Sequence, residues 1–553
     1  MTRVTITVVA ALLVALAAAP GLARDTLTIG ITQFPATFHP NINSMLAKSY
    51  VLNMALRPIT TYDQDWTLAC LLCTTLPTIE NGLAVPETLA DGSTGVAVTY
   101  TIHPNATWGD GTPVSAQDVV FTWEVGRNEQ SGFAGLEGYR RTLAIDVIDD
   151  KTFTVHGDRL SYTYNAMNGF YILPAHLERD AFAEPSEYRF RTRYDTDTTN
   201  PGLYFGPYRI VEVVSGSHVM LEANPTWWGP APGFRRIVVR TIENTAALEA
   251  NLLSGAIDYV AGELGFTIEQ ALSFERRKGG DFEVLFKPGL IYEHIDLNLD
   301  NPILADRRLR QALLYALDRE QLSSQLFGGQ QPVAHSNINP LDRIYSATVP
   351  VYDHDPDKAA ALLDDAGWRQ VRDGVRHNEA GEKLSLILMT TAGNKSRELV
   401  EQVLQSQWKK AGIEIVIRNE PARVYFGETM TKRANSGLSM YAWLSAPESL
   451  PLTTLRSDNI PNEANGWSGQ NYPGYANPEM DRLIDAIEIE LDPEARLPMW
   501  AELQRLYATD LPALPLFFRA EAYFFPKWLK GVRPSGHMVT TTTWVEEWHA
   551  IGD

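Results

Sequence analysis

The chain has 553 residues, 44% of them hydrophobic and 21% charged, a globular composition that at about 150 residues per domain predicts three to four domain-sized units. Its 47 basic and 67 acidic residues give a net charge of −20, which argues against nucleic acid or an anionic membrane surface as the main partner. Two cysteines and 11 histidines are too few for a disulfide scaffold or a multi-metal enzyme.

Residues 1–23 have the order of a secretory signal. Arg3 precedes an apolar run from about Val8 to Ala19, and small residues follow up to Ala23. The run is shorter than the roughly 20 apolar residues of a membrane span, so we expect cleavage after Ala23. No cysteine stands near this position, which argues against a lipid anchor. We therefore expect a soluble exported protein, with a net charge of −21 once Arg3 is removed from the total of −20.

The two cysteines, Cys70 and Cys73, form a C-x-x-C in an oxidising compartment. A redox motif would open a helix in a thioredoxin-like unit, whereas Leu76 and Pro77 indicate a strand or turn here. We therefore favour a small local disulfide or two half-buried thiols. A bridge over so short a loop stabilises only modestly, and the lack of a second cysteine pair disfavours a metal site.

Hydrophobic periodicity predicts strands and helices that alternate along the chain. The predicted strands are 26–32, 96–102, 208–214, 218–223, 237–242, 256–260, 292–299, 384–390, 413–418 and 438–443. The segment 516–525 is apolar and aromatic, which suits a return of the chain to the first region. The predicted helices begin at Ser115 and about Ala305 or span 244–254, 396–411, 479–491 and 493–509, with Gly255 and Gly412 as stop signals. The recurring strand–helix–strand order predicts an α/β fold.

Short enzyme motifs are absent from the sequence: there is no H-E-x-x-H, G-x-S-x-G, P-loop or G-x-G-x-x-G. The alternating Asp353, Asp355 and Asp357 are similar to a calcium loop, but Lys358 occupies the glycine position of such a loop. Asp355 is better explained as the N-cap of a helix that begins at Pro356. A pair of carboxylates for glycoside hydrolysis, distant in sequence, stays open.

Trp443 is the aromatic residue with the strongest functional interpretation. It ends the strand 438–443, and strand exits of α/β proteins often bind ligands. For any single large aromatic residue, packing in the core remains the commoner role.

Several ordered segments together resemble the periplasmic solute-binding proteins of peptide and nickel ABC importers (extracellular solute-binding protein family 5). The segments are YTIHPNATWGDGTPVSAQDVVF (100–121), GPYRI (206–210), NPTWWG (224–229), LSGAID (253–258), DRRLRQALLYALDR (306–319), LLDDAGW (362–368) and YANPEMD (475–481). They extend over nearly all of the chain after the signal.

The resemblance implies an α/β, two-lobed periplasmic binding protein fold (type II, large peptide-binding class) with an extra subdomain inserted in lobe I. The implied domains are a signal peptide at 1–23, lobe I at 24–65 plus 200–290 plus 522–553, the inserted subdomain at 66–199 and lobe II at 291–521. The hinge would lie near 288–299 and 519–530. Ligand contacts in both lobes would favour the closed state.

The same resemblance implies binding without chemistry: no catalytic residues, no metal and no cofactor. The expected partners are a peptide or small-molecule ligand and an ABC permease of the inner membrane, with no nucleic acid, and we expect a periplasmic monomer. A secreted α/β hydrolase and a periplasmic sensor are the competing hypotheses.

Peptide-binding members hold an extended peptide through its backbone and pair its α-ammonium with an aspartate in a W-x-x-D segment. Here that segment is W-L-S-A, with Ala446 at the aspartate position and Glu448 two residues later. A blocked peptide, an opine or an oligosaccharide therefore fits as well as a free peptide. The ligand-binding candidates share positions at strand exits or in loops of the expected cleft: Phe34, Tyr292, His294, Trp443, Ser445, Asn471 and Tyr472.

Overall fold

The computed structural model describes residues 24–551, except 43, 44, 135, 466 and 468. The signal predicted at 1–23 therefore lies outside the described residues. Within the described part of the chain, no helix combines the length and apolar character needed to cross a membrane.

Strands occur along the whole described chain. They are β1 (Thr26–Ile31), β2 (Thr60–Tyr62), β3 (Leu68–Cys70), β4 (Ala84–Thr88), β5 (Thr94–Thr101), β6 (Thr142–Val147), β7 (Thr152–Gly157), β8 (Tyr208–Val214), β9 (His218–Ala223), β10 (Arg236–Thr241), β11 (Tyr259–Val260), β12 (Phe282–Leu297), β13 (Gln370–Arg372), β14 (Val375–His377), β15 (Ser385–Met389), β16 (Glu414–Ile417), β17 (Leu438–Trp443), β18 (Ala513–Pro526), β19 (Leu529–Lys530) and β20 (His549–Ala550).

The α-helices lie between these strands. They are α1 (Leu46–Leu52), α2 (Ala116–Gly126), α3 (Glu137–Arg141), α4 (Ala175–Glu178), α5 (Tyr188–Arg191), α6 (Arg193–Thr196), α7 (Thr245–Ser254), α8 (Ile268–Lys278), α9 (Pro302–Ala305), α10 (Arg307–Tyr315), α11 (Arg319–Phe327), α12 (Pro356–Asp365), α13 (Lys395–Lys410), α14 (Ala422–Val424), α15 (Leu452–Leu455), α16 (Pro478–Ile489) and α17 (Pro493–Asp510).

Local sequence signals explain where several helices begin and end. Ser115 and Asp118 form the capping box that starts α2. Asn244 caps α7, and Gly255 ends it in the left-handed conformation at φ 74°. Asp355 caps α12 by accepting a hydrogen bond from the Lys358 N–H at 2.9 Å, which confirms the capping interpretation.

One mixed sheet extends through the molecule in the order β16-β15-β17-β12-β18-β11-β1-β10-β9-β8. Its centre is the antiparallel pair β12 and β18, two long strands whose register shifts between Pro288 and Tyr292 and again between Glu293 and His294. The strand predicted at 256–260 is shorter than expected, because only Tyr259 and Val260 pair with β1. The two segments predicted as hinge lie at or close to β12 and β18.

A separate four-stranded sheet has the order β4-β5-β7-β6. Its buried side chains, among them Val98 and Phe153, belong to the same hydrophobic cluster as β1, β8 and β10. A second cluster lies under β12, β15 and β17 and includes side chains of α7 and α8, such as Leu248 and Phe274. Cys70 and Cys73 are joined by a disulfide at the end of β3.

Candidate functional site

Three cavities meet at the segment 444–450, which follows β17. The tryptophan cavity, of about 170 Å³, contains Trp443, Leu444 and Ala446 in its wall. The glutamate cavity, of about 310 Å³, shares Leu444 with it and is also lined by Glu263 and Glu521. The rim cavity, of about 290 Å³, shares Ala446 with the tryptophan cavity. The exit of β17 therefore borders three neighbouring cavities that share lining residues.

Four of the candidate residues come together in the tryptophan cavity: Tyr292, His294, Trp443 and Ser445. Tyr292 and Trp443 are direct cross-strand neighbours in the pairing of β12 with β17. The rings of Tyr292 and His294 stack at 4.9 Å with an interplanar angle of 5°. Because side chains alternate along a strand, Tyr292 and His294 lie on the same face of β12.

Three further candidates do not line this cavity. Tyr472 stacks on Trp443, with the ring centroids 6.1 Å apart. Asn471 is buried, and its amide group bonds the backbone oxygens of Arg456 and Tyr475 at 2.9 and 2.8 Å, so its side chain holds a loop together. Phe34 packs edge-on against Phe38 in the first hydrophobic cluster.

Two carboxylates that the sequence reasoning missed also line the tryptophan cavity, Asp296 and Asp342. Asp296 continues the alternation of Tyr292 and His294 on β12, and this pattern could have identified it. Asp342 lies in a turn of the loop after α11, where its N–H donates to the Asn339 oxygen at 2.9 Å. No local sequence signal distinguishes such a turn residue from an exposed aspartate.

Glu448 does not face the tryptophan cavity. Its carboxylate lies between two guanidinium groups, 3.1 Å from Arg343 and 3.4 Å from Arg496, and it lines the rim cavity. Its N–H donates to Asp342 Oδ2 at 2.9 Å, which fixes the segment 444–450 against the loop that carries Asp342. Ala446, by contrast, lines both cavities and has no charge.

The glutamate cavity contains charges of both signs. Burial raises the pKa of Glu263 and of Glu521, and the charge of Glu263 raises that of Glu521 further. Glu263 accepts hydrogen bonds from the N–H and hydroxyl of Thr541, both at 2.8 Å. Arg519 lines the same cavity and lies 2.5 Å from Glu293.

Glu293 faces away from the tryptophan cavity and is almost completely buried. Its carboxylate contacts Arg397 at 2.6 Å and Arg519 at 2.5 Å. Burial alone would raise the pKa of Glu293, but the charges of Arg519 and Arg397 outweigh it and hold this pKa below its ordinary value. The buried carboxylate is therefore ionised and compensated. Among the described residues, no group of three His, Cys, Asp or Glu side chains is placed to hold a metal ion.

The fold and the cleft at a strand exit are those of a binding protein with two α/β lobes. Residues 78–459 match the model of the bacterial extracellular solute-binding proteins, family 5 Middle. Because this match covers more than half of the chain, the protein belongs to that family, and it has the family's two-lobed α/β fold.

Curated relatives cover most of the chain. The oligopeptide-binding protein AppA of Bacillus subtilis is 25% identical over 459 residues, covering 82% of this chain and 80% of AppA. A putative ABC transporter peptide-binding protein of Brucella ovis is 24% identical over 502 residues, covering 90% of this chain and 88% of its own.

Solved structures share the fold over nearly the whole length. The oligopeptide-binding protein of Thermus thermophilus, crystallised with a pentapeptide, has a TM-score of 0.72 and 29% identity and covers 95% of this chain and 96% of its own. NikA of Brucella suis, in complex with Fe(III)-EDTA, has a TM-score of 0.77 and 17% identity, and the match covers 95% of this chain and 100% of NikA.

Proposed function

We propose that this protein captures peptides in the cleft around segment 444–450 and delivers them to the permease of an ABC importer. The observation that carries the proposal is the row of three neighbouring cavities with shared lining residues at the exit of β17. A single compact cavity would suit a small molecule, whereas a row of cavities suits a chain with several side chains. The relative that was crystallised with a pentapeptide supports the same ligand class.

The proposal includes the two-lobe division. Lobe I would comprise 24–65, 200–290 and 522–553 with the insertion 66–199, and lobe II would comprise 291–521. Contacts already bridge the two parts beside the rim cavity, where the Tyr162 hydroxyl donates to the Glu448 oxygen at 2.5 Å. The Tyr162 N–H donates to the Glu488 oxygen at 2.9 Å. A ligand that touches both lobes would favour this closed arrangement.

The proposal also places the protein in the periplasm as a monomer, after cleavage of 1–23, with no catalytic step. The family's extracellular character supports export. An opine or an oligosaccharide in the same cleft, and hydrolysis instead of binding, are the outcomes that would replace it.

The test combines ligand identification with one variant. Native mass spectrometry of the purified protein should show a bound peptide that stays unchanged over hours; turnover of added peptides would establish a hydrolase instead. Calorimetric titration with tri- to pentaalanine should then show that Trp443→Ala weakens binding at least about tenfold. Melting of the ligand-free protein should change little.

Trp528→Ala is the matched control. Trp528 is also half-buried, and it packs on Phe234 and under Arg24 but lines none of the three cavities. Its loss should lower stability without changing affinity. If Trp443→Ala lowers the melting temperature of the ligand-free protein as much as Trp528→Ala does and leaves peptide affinity intact, Trp443 is a core residue and the cleft lies elsewhere.

A further inference from the structure

Two buried carboxylates line the tryptophan cavity. Asp296 and Asp342 line it and are only 6% and 5% exposed. Among the described residues that line this cavity, none is lysine or arginine. A buried carboxylate without a cation is costly unless something else supplies the opposite charge.

The hydrogen bonds of these carboxylates come from neutral donors. Asp342 accepts from the N–H groups of Glu448 at 2.9 Å and Ile344 at 3.3 Å. The neighbouring Arg343 pairs with Glu448 instead. Asp296 accepts from the Tyr441 hydroxyl. Each carboxylate therefore keeps the capacity to accept further hydrogen bonds.

His294 points to a missing donor in the same cavity. Its Nδ1 lies 3.2 Å from the Tyr292 carbonyl, which can only accept, so Nδ1 carries the hydrogen. Its Nε2 is buried without a hydrogen-bond partner among the described residues. Asp296 Oδ1 lies 3.2 Å from this Nε2, a contact that is an ion pair only when His294 is protonated. With a neutral His294, two acceptors stand side by side with no donor between them.

We propose that the tryptophan cavity binds a cationic amine of the ligand, with Asp342 and Asp296 as its charge partners and His294 Nε2 as a further acceptor. The inference rests on the proposed function where that amine belongs to a peptide. The rings of Tyr292 and Trp443 in the wall suit a cation, since aromatic faces attract positive charge. Asp342 thereby supplies the negative charge that position 446 lacks.

The surroundings of the Asp342 carboxylate agree with its role as charge partner of an amine. Burial raises the pKa of Asp342 to about 6, although the N–H groups of Glu448 and Ile344 oppose this shift. Tyr62 and Tyr162 are the other titratable groups that face it. At neutral pH the carboxylate is therefore charged in an unfavourable setting, and a bound amine would relieve that cost.

The experiment measures calorimetric affinity for four probes: trialanine, N-acetyl-trialanine, N-acetyl-Ala-Lys-Ala and agmatine. We expect wild type to bind the cationic peptides about 10- to 100-fold more tightly than N-acetyl-trialanine. Asp342→Asn should reduce that ratio to less than about threefold, and Asp296→Asn should reduce it in the same direction. Asp357→Asn, the same change at an exposed position on α12, should leave it unchanged.

The probes separate the outcomes. Preference for trialanine assigns the cavity to the α-ammonium group, and preference for N-acetyl-Ala-Lys-Ala assigns it to a side-chain amine; both support the inference if Asp342→Asn removes them. Equal binding of all three peptides leaves peptide capture intact and overturns the amine site. Binding of agmatine alone, lost in Asp342→Asn, supports the amine site and overturns peptide capture. Binding of no probe overturns both.

A stability measurement shows that lost affinity is not lost folding. Because the pKa of Asp342 is higher in the folded protein than its ordinary value of 3.8, wild-type stability falls as pH rises from about 4 to about 6. Asp342→Asn lacks that loss. Its ligand-free form should melt at pH 7.5 at the same temperature as wild type or higher, and a marked decrease would assign Asp342 a structural role instead.

Discussion

Replacing Glu293 by glutamine removes the charge at the centre of the paired strands β12 and β18. Glu293 is 1% exposed and compensates both Arg397 and Arg519. Removing one partner of a buried ion pair typically costs about 3–5 kcal/mol, because the remaining charge stays desolvated. Arg519 is partly exposed and can recover some hydration, so we expect the lower end, about 3 kcal/mol.

The measurement is equilibrium urea denaturation at neutral pH and low salt, with wild type and Glu293→Gln compared. Because the pKa of Glu293 lies below its ordinary value of 4.5, its stabilisation is present at neutral pH and is lost on acidification. The difference between the two proteins in free energy of unfolding should therefore shrink as the pH falls through the pKa of Glu293.

Glu283→Gln is the matched control, since Glu283 lies on the same strand and also forms an ion pair, with Lys530. That pair is on the surface, with exposed fractions of 52% and 33%, so its loss should cost less than about 1 kcal/mol. Equal small losses for the two variants, or a Glu293→Gln difference that does not depend on pH, would refute the compensation reasoning.

Three other features give shorter tests. Burial raises the pKa of Glu401 from 4.5 to about 7, so wild-type stability should fall as pH rises through this range. In urea denaturation at pH 8, Glu401→Gln should be more stable than wild type by at most about 3 kcal/mol. Lower stability of this variant would contradict the raised pKa. The double change Cys70→Ser and Cys73→Ser opens a loop with a sequence separation of 3 and should lower the free energy of unfolding by about 2 kcal/mol. Adding a reductant should leave the melting temperature of this variant unchanged. Tyr162→Phe removes the hydroxyl that donates to Glu448 and should weaken peptide binding about three- to tenfold in calorimetry; unchanged affinity would mean that this contact does not form part of closure.

The sequence was sufficient for features set by neighbouring residues. Asn244 and Gly255 fixed both ends of α7, because capping and left-handed glycine act within one turn of helix. The period of two along β12 predicted a strand face with Tyr292 and His294, and extending that period by two residues reaches Asp296. Such features depend on the local backbone, so the types and spacing of neighbouring residues are enough to predict them.

Features set by tertiary packing could not be predicted in the same way. Asp342 reaches the tryptophan cavity only because segment 444–450, about a hundred residues later in the chain, is bonded to it through the Glu448 N–H. Asn471 is the opposite case: its place in a loop near the expected cleft suggested ligand contact, but the fold directs its amide to backbone oxygens. Loop position alone does not determine whether a polar side chain faces solvent, a ligand or the backbone.

The same change of charge should therefore have opposite effects at two nearby places. Glu293 lies on one face of β12 with two arginines, whereas Asp296 lies on the face that lines the tryptophan cavity, with a tyrosine and a histidine beside it. Neutralising the compensated carboxylate removes stability, because two arginines lose their partner. Neutralising a carboxylate of the cavity removes a charge that has no arginine or lysine partner in the cavity lining, and it should lower affinity without lowering stability. This difference separates a residue that stabilises the fold from one whose charge serves the ligand.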